Sequence, residues 1–217
     1  MSQPLPAGAL RRMPTQARSV LRVQRMLDSF DELLGEVGFD SVSTTMVADK
    51  AGVSVGSLYQ FFPDKRALAR ALALRYLEGF LAEVQALFTA RQFSDWREAV
   101  DPIIDIYVGL HRRFPGFRAV RFGDPVDSQL LDGAVDNNSV VAAALDAVID
   151  ELFGTDADRY EAGAALTPRL TLAVALEAGD AVLRLAFRHD PHGDARIIEL
   201  AKVVTRAALM TRGTTDG

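Results

Sequence analysis

The segment Ser43–Phe62, with the sequence STTMVADKAGVSVGSLYQFF, decides the fold of the N-terminal part of this chain. Its pattern predicts two short helices joined by a tight turn at Gly52, because glycine readily adopts the left-handed backbone of such a turn. Ser43 and Ser54 precede the two helical runs, where a hydroxyl can cap free backbone N–H groups. A helix pair of this shape fits a DNA major groove.

Apolar side chains of this segment are predicted to lie on its inward faces. Val47, Ala48 and Ala51 form the inward face of the first short helix, and Leu58 and Phe62, four residues apart, point inward from the second. The other residues of the second helix are expected on exposed or groove-facing arcs, and they are Val55, Gly56, Ser57, Tyr59, Gln60 and Phe61.

Several residue types in this segment suit contact with DNA. Ser57 and Gln60 can form hydrogen bonds with base edges, and the Tyr59 hydroxyl can bind a phosphate. Gly56 would let DNA approach the backbone, although tight packing within the protein would equally explain a glycine there. Tyr59 and Phe61 also have the alternative interpretation of core aromatics. The candidate DNA contacts are Ser43, Thr44, Thr45, Ser54, Val55, Gly56, Ser57, Tyr59, Gln60, Phe61 and Lys65.

Charge is distributed unevenly along the 217 residues, whose net charge is −5. Residues 1–75 contain ten Lys or Arg and seven acidic residues, and the first 25 residues contain five arginines and no acid. The rest of the chain is strongly acidic. The basic end is therefore the candidate nucleic-acid face, unless its arginines only keep a terminal segment soluble.

Helical periodicity extends through the rest of the chain. Apolar residues recur at helical spacing from Val20 to Val37, and further amphipathic runs follow Pro63. No alternating strand pattern is found, so we predict an all-α fold of about nine helices. The predicted division is a flexible basic arm over 1–16, a three-helix helix-turn-helix domain over 17–66, and a helical effector-binding and dimerisation domain over 67–217.

Composition excludes several kinds of site and segment. The chain has no cysteine, which excludes disulfides, thiolate nucleophiles and cysteine-rich metal sites. No apolar run approaches the ~18 residues of a membrane span, and no signal-peptide pattern is found at the N-terminus. We expect a cytoplasmic protein with no membrane partner. No cofactor is predicted, and the turn containing His189 and His192 is more typical of a solvated loop than of a metal site.

The last two predicted helices carry rows of apolar and small residues that would allow close helix packing. Two copies of the chain would pair these helices as a four-helix bundle, although packing within one subunit is the alternative. The rows are Leu170, Val174, Ala178, Ala181 and Leu185 on one helix, and Ile197, Ala201, Val204 and Ala208 on the other.

An effector pocket in the C-terminal part is indicated only by its aromatic residues. Such side chains line apolar pockets but also fill ordinary cores. Glu177 and Asp180 would face either a pocket or solvent. The candidate pocket residues are Phe80, Trp96, Tyr107, His111, Phe114, Phe117 and Phe122.

From about Val20 to Leu72, a quarter of the chain, the sequence resembles the DNA-binding domain of the TetR family of transcriptional repressors. The Ala51–Ser54 part is less specific because LacI-like repressors share it, whereas the continuation from Leu58 to Lys65 favours TetR. The matching residues are Phe39, Ser43, Thr44, Val47, Ala48, Ala51, Gly52, Val53, Ser54, Gly56, Leu58, Tyr59, Phe61, Phe62 and Lys65.

The resemblance implies a homodimeric repressor whose last two helices form the dimer interface and whose C-terminal helices bind a small effector. In such proteins the positions of Thr44, Ser54, Tyr59 and Lys65 commonly contact phosphates, and those of Val55, Gly56 and Gln60 lie near bases. The position of Phe61 often holds His or Tyr. Since Phe cannot donate a hydrogen bond, a polar contact is not expected there.

Two other classes of function are weighed against a ligand-responsive repressor. An enzyme is disfavoured because the sequence has no glycine-rich phosphate loop and no paired His–carboxylate spacing. A helix-turn-helix protein that acts by DNA coating or protein interaction, without an effector, is the alternative. Sequence-specific DNA binding that a small molecule releases would distinguish the repressor from it.

Overall fold

The computed structural model describes Leu10 and residues 16–120, 137–153 and 168–210, and within these ranges the chain is all-α, as predicted. A 3-10 turn at Trp96–Ala99 precedes the fifth of the nine described helices. The helices are α1 (Ala17–Ser41), α2 (Thr44–Ala51), α3 (Val55–Tyr59), α4 (Lys65–Ala90), α5 (Val100–Arg113), α6 (Phe117–Val120), α7 (Asn137–Phe153), α8 (Pro168–Ala186) and α9 (Ala195–Leu209).

Helix α1 is the scaffold on which α2 and α3 pack. Its predicted apolar face is largely buried, with Val23, Leu27 and Phe30 fully enclosed in the core, whereas Val37 near its end is 40% exposed. Gly38 has a φ of 76°, which kinks the helix just after Val37. Beyond the kink a helical spacing no longer describes the chain, so the predicted apolar face ends at this point.

Helix α4 connects the helix-turn-helix to the rest of the molecule. Asp64 caps its first turn by accepting a hydrogen bond from the Ala67 N–H at 2.7 Å. Along its 26 residues it buries Leu72, Tyr76 and Phe80 in one continuous core that extends from α1 to α7. The predicted domain boundary at residues 66 and 67 lies in the first turn of this helix.

A second core lies among α5, α7, α8 and α9. Asp101, which precedes Pro102, does not cap α5, because the helix begins at Val100 and follows directly from the 3-10 turn. Asp101 instead forms an ion pair with Arg206 of α9. Its carboxylate therefore joins two helices rather than capping one.

Helix α1 makes an unusually close contact with the turn between α5 and α6. Asp31, which is 6% exposed, accepts hydrogen bonds from the Tyr76 hydroxyl at 2.6 Å and from the Gly116 N–H at 2.7 Å. A Cβ on Gly35 would lie 2.4 Å from the Pro115 Cβ, and one on Gly116 would lie 2.7 Å from the Asp31 Oδ1. Both glycines are needed for this approach.

Candidate nucleic-acid interface and ligand cavity

The predicted helix-turn-helix forms from local interactions of its own residues. Ser43 accepts a hydrogen bond from the Met46 N–H at 3.2 Å, and Ser54 accepts one from the Ser57 N–H at 3.2 Å. Gly52 has φ and ψ of 64° and 42°, the left-handed conformation that the turn requires. Both predicted caps and the predicted turn are present.

One edge of the helix pair presents hydroxyl groups to solvent. Tyr59 is 43% exposed, and its hydroxyl lies 3.0 Å from the Thr44 Oγ1. Because Thr44 begins α2 and Tyr59 ends α3, this hydrogen bond joins the outer ends of the two helices. Thr45 and Gln60 are also exposed. The edge can therefore offer several neutral hydrogen-bonding groups to a phosphate backbone.

Gly56 lies on the exposed side of α3, where no protein atom would contact a Cβ within 4 Å. Tight packing within the protein therefore does not explain this glycine. Val55 and Ser57 are half-buried on either side of it. Ser57 accepts a hydrogen bond from the Arg22 Nη1 at 3.4 Å, a contact between α1 and α3 that the sequence does not indicate.

Phe61 does not lie on an exposed arc, and this prediction is wrong. Its side chain is 5% exposed and belongs to the main core. The physical reason is that α3 ends at Tyr59, after which the Phe61 N–H bonds to the Leu58 carbonyl in a tighter turn. A helical projection therefore places Phe61 on the wrong side.

Lys50 and Lys65 are both engaged by other parts of the protein. Lys65 donates to the carbonyl oxygens of Phe39 at 2.7 Å and Asp40 at 3.3 Å, and its Nζ lies 4.5 Å from the centre of the Phe39 ring. Lys65 thus closes the C-terminal end of α1. Lys50 pairs with Glu36 at 2.7 Å and with Glu32 at 3.1 Å. The hydrogen bonds that Lys50 donates to Glu36 and Glu32 raise the pKa of Lys50.

Exposed cations also occur on α1 and at the start of α4, where Arg66 is exposed. Arg18 and Arg25 are exposed, and Arg22 lies between them against α3. Leu10, the one described residue before Gln16, is half-buried against the main core. Most of the predicted basic arm over 1–16 lies outside the described residues.

A cavity lies among α4, α5, α7, α8 and α9, with a volume of about 450 Å³ that includes solvent at its mouth. Of the predicted pocket residues, Phe80 and Tyr107 line it. Its described lining residues are Phe80, Ile103, Ile104, Tyr107, Asn138, Val141, Ala175, Leu176, Gly179, Asp180, Leu183 and Thr205.

The polar groups of this cavity come from four helices. The Tyr107 hydroxyl donates to the Asp180 Oδ1 at 2.8 Å, and the Thr205 hydroxyl donates to the Ala201 carbonyl at 2.9 Å. Asn138 is 4% exposed, and its Nδ2 has no hydrogen-bond partner among the described residues. Glu177, in contrast, faces solvent.

Three other predicted pocket residues lie in the core rather than in this cavity wall. His111 stacks on Phe187 with ring centres 4.3 Å apart and meets the edge of Phe117 at 4.8 Å. Phe114 and Phe117 both pack against Tyr76, with ring centres 5.1 Å away. The Trp96 side chain and Phe122 lie outside what the structure describes.

The apolar row predicted on α8 faces outward, whereas the row predicted on α9 does not. Leu170, Val174 and Leu185 are between 43% and 47% exposed. On α9, Ala201 is fully buried and its predicted row packs within the subunit, as the alternative interpretation held. The exposed row of α9 consists instead of Leu200, Val203 and Ala207, and Met210 continues it directly after the helix.

No described helix is both long and apolar enough to cross a membrane. Within the same residues, no group of three or more His, Cys, Asp or Glu side chains is arranged to hold a metal ion.

A capped helix pair with an exposed hydroxyl edge, placed at one end of an otherwise helical chain, defines a helix-turn-helix DNA-binding protein. Two family models match this chain. Residues 27–72 match the model described as bacterial regulatory proteins, tetR family, and residues 94–212 match that described as tetracyclin repressor-like, C-terminal domain. The second match alone spans more than half of the chain. The chain belongs to the TetR family, and it is a transcriptional regulator.

Similar proteins agree with this assignment. The tetracycline repressor protein class A from transposon 1721 of Escherichia coli is 42% identical over 66 residues, which are 30% of this chain and 29% of that protein. The match thus spans less than a third of this relative's length. A TetR-family transcriptional regulator from Streptomyces coelicolor is 36% identical, with a TM-score of 0.70 and coverage of 88% of this chain and 97% of that chain.

A more distant structure shares the fold. The fatty acid degradation regulator FadR from Bacillus halodurans is 18% identical, has a TM-score of 0.63, and is matched over 86% of this chain and 97% of that chain. At this identity the likeness concerns only the arrangement of helices.

Proposed function

We propose that this protein is a homodimeric cytoplasmic repressor that binds operator DNA through α2 and α3 and is released by a small molecule bound in the cavity. The observation that carries the proposal is the course of α4. This helix begins beside the exposed helix pair at Lys65 and contributes Phe80 to the cavity wall. One rigid element therefore connects the two proposed sites.

Roles for individual residues follow from their exposure. Thr44, Thr45 and Tyr59 present hydroxyls for phosphate contacts, and the hydroxyls of Ser43 and Ser54 can accompany the free N–H groups of the helix starts. Gly56 and Gln60 lie nearest to bases, with Val55 and Ser57 beside them. Phe61 and Lys65 support the fold instead, because one is buried and the other binds backbone carbonyls.

A homodimer would cover the exposed apolar rows of α8 and α9. Five large side chains on these helices, together with Met210 directly after α9, are between 43% and 57% exposed, which is unusual for a surface that stays in water. A two-fold axis would pair each row with its copy. It would also set two α3 helices at a fixed separation, about 34–36 Å for adjacent turns of one DNA face.

Release by an effector requires that effector and DNA bind preferentially to different conformations, so the cavity and the DNA-binding helices must be coupled. Packed side chains join them. Tyr107 of the cavity wall contacts Phe117 with ring centres 5.4 Å apart, and Phe117 contacts Tyr76 at 5.1 Å. Tyr76 donates to Asp31 of α1. A ligand that moves Tyr107 would thus act on the helix that supports α2 and α3.

Selection of bound fragments from a random double-stranded DNA pool tests the DNA-binding part of the proposal. We expect enrichment of a sequence with two-fold symmetry, because two copies of α3 would read two half-sites. Binding of the selected fragment is then measured by gel shift for the wild type and Tyr59→Ala. The variant should bind at least about tenfold more weakly, since it loses a phosphate contact and the Thr44 hydrogen bond.

The outcome of selection also separates the proposal from its alternative. A pool that gains no sequence preference, with salt-sensitive binding to every fragment, would favour a DNA-coating protein. Wild-type affinity of a folded, dimeric Tyr59→Ala protein would contradict the proposed contact surface.

A further inference from the structure

The beginning of α3 carries no long side chain that could bind a base edge through several N–H groups. The helix has the sequence VGSLY over Val55–Tyr59, and Leu58 of these residues is fully buried. Its first three residues, Val55, Gly56 and Ser57, are small and at least partly exposed. In helix-turn-helix proteins, the N-terminal residues of the second helix contact the base edges. These three residues offer only one side-chain hydroxyl for that purpose.

Arg22 of α1 lies beside this end of α3. Its Nη1 donates to the Ser57 Oγ at 3.4 Å, so the guanidinium is next to the third residue of the helix. This distance is long for an N–H···O bond, whose usual range ends at about 3.2 Å, and the contact is accordingly weak. Arg22 forms no ion pair with a described acidic side chain. The guanidinium can therefore leave Ser57 at little cost, and most of its N–H donors are available to another partner.

Two further arginines share this side of α1. Arg18, Arg22 and Arg25 are spaced by four and three residues, which places their side chains along one face of the helix. Arg18 and Arg25 are exposed, and neither forms an ion pair with a described acidic side chain. Because Arg22 in the middle of this face contacts Ser57, the face continues the surface that α3 presents to DNA.

Guanine is the base that suits a guanidinium best. In the major groove it presents two acceptors, O6 and N7, and two N–H groups of one arginine can bind both of them. Space for a long side chain is present beside Gly56, because a Cβ at that position would contact no protein atom within 4 Å. The single hydroxyl of Ser57 cannot make this paired contact.

We propose, on the basis of the DNA-binding surface proposed above, that Arg22 is a specificity-determining residue that binds one guanine in each half-site. On DNA its guanidinium exchanges the weak contact with Ser57 for the O6 and N7 of that base. Ser57 holds the guanidinium beside α3 until DNA binds. Arg18 and Arg25 contact phosphates and add affinity without base preference. The group that reads the guanine thus comes from α1 and not from the helix-turn-helix itself.

Replacement of single guanines in the selected DNA fragment by 7-deazaguanine tests the proposal on the wild-type protein. This analogue pairs with cytosine but lacks the N7 acceptor. We expect one guanine, when replaced in both half-sites, to weaken binding at least about tenfold in a gel shift, because each Arg22 loses one of two acceptors. A selected sequence without a G·C pair in its half-sites, or one whose guanines all tolerate replacement, would overturn the proposal.

Arg22→Met assigns this sensitivity to its residue. Methionine keeps an unbranched stem of similar length but has no N–H donor on its side chain. The variant should bind the selected fragment at least about tenfold more weakly, and the replaced guanine should then cost less than about threefold. Arg25→Met is the matched control, because it removes one charge from the same face of α1. It should weaken all fragments alike and retain the sensitivity to 7-deazaguanine.

The two variants also separate this role from the proposed function. A folded, dimeric Arg22→Met protein that keeps the wild-type sensitivity would overturn the role of Arg22 and leave the repressor function in place. Loss of the sensitivity in Arg25→Met as well would overturn it too, since a general loss of charge would explain both results. If the wild type selects no sequence at all, the proposed repressor function fails, and the role of Arg22 as a base reader fails with it.

Discussion

At the scale of single residues, Gly56 is a position where the stability of the helix and the binding of the proposed DNA target favour different residues. A glycine in a helix is less stable than alanine by about 1 kcal/mol. Since a Cβ at this position would contact nothing within 4 Å, the fold gains nothing from its absence. The glycine is instead suited to a surface that another molecule approaches closely.

Gly56→Ala should therefore change stability and DNA binding in opposite directions. We expect the free energy of unfolding to rise by about 0.5–1 kcal/mol, because helix propensity improves at an open site. Affinity for the selected DNA fragment should fall by about tenfold or more, since the new methyl group occupies the space nearest the bases. Urea unfolding and gel shift measure the two effects. Retained affinity would show that DNA does not approach α3 at this point.

Asp31 is a second residue whose role can be isolated. Asp31→Asn keeps an oxygen that accepts from Tyr76 and Gly116, so stability at neutral pH should change by less than about 1 kcal/mol. Asp31→Ala leaves both buried donors without an acceptor and should cost about 2–5 kcal/mol. Urea unfolding of the two variants distinguishes them. Equal losses for both would mean that the negative charge, rather than the oxygen, holds the contact.

The pH dependence of stability gives Asp31 a distinct signature. Burial is the largest cause that raises its pKa above the ordinary value of 3.8, and the hydrogen bonds from Tyr76 and Gly116 oppose it. Because the folded state then binds a proton more tightly than the unfolded chain, the contribution of Asp31 to stability falls as pH rises through that raised pKa. The difference between wild type and Asp31→Asn should shrink toward lower pH in this window. Asp194, whose pKa is lowered to about 2, loses its contribution only below 3.8.

At the scale of elements, the contact of α1 with the turn between α5 and α6 is limited by two glycines. Gly35→Ala would place its Cβ 2.4 Å from that of Pro115, which forces the two segments apart. We expect a loss of about 1–3 kcal/mol, as for overpacked cores, and weaker coupling between cavity and DNA. Thermal unfolding and ligand-induced DNA release measure the two effects.

Gly109 provides the matched control for this substitution. It also lies within a helix, but a Cβ there would have only the Arg113 guanidinium as a neighbour, at 3.7 Å. Gly109→Ala should therefore stabilise the protein slightly through helix propensity. A similar gain in stability for Gly35→Ala would show that the contact between α1 and Pro115 can adjust to the added methyl group.

The elements themselves were predictable where their signals are local. Gly52 and the two serine caps act within three or four residues of their own positions, so the sequence alone reveals them. Phe61 was misplaced because α3 stops at Tyr59, and the tertiary contacts that end a helix are not visible in its spacing. The engagement of Lys65 by Phe39 could not be predicted, because it depends on how α1 ends beside α4. The cavity depends on five helices, and of the five aromatic candidates whose side chains the structure describes, two line it.

At the scale of the whole molecule, the exposed rows of α8 and α9 determine the proposed assembly. Val203→Arg places a charge within the row of α9, where Val203 is 51% exposed in one subunit. We expect a shift from dimer to monomer in sedimentation, because the buried cation would have no partner in the interface. Binding of the selected DNA should fall with it, since two half-sites are then no longer bound as one unit.

Leu21→Arg is the control for assembly. Leu21 is 56% exposed, but it lies on α1, far along the chain from the proposed interface. A charge at this position should leave the sedimentation coefficient unchanged. A dimer that survives Val203→Arg, with wild-type stability against dilution, would contradict the proposed use of α9.

The engagement of both lysines also bears on how the protein would find its target in a genome. Residues 43–65 contain two lysines and two aspartates, and each lysine is turned toward the protein's own carboxylates or carbonyls. Residues 43–65 thus offer hydroxyls and backbone, and the exposed cations beside them are Arg66 and the α1 residues Arg18 and Arg25. Non-specific DNA is held mainly by cations that displace counterions. The time that the protein spends on random sequence would therefore depend on these three arginines, whereas residues 43–65 would add affinity mainly where their neutral groups fit the site.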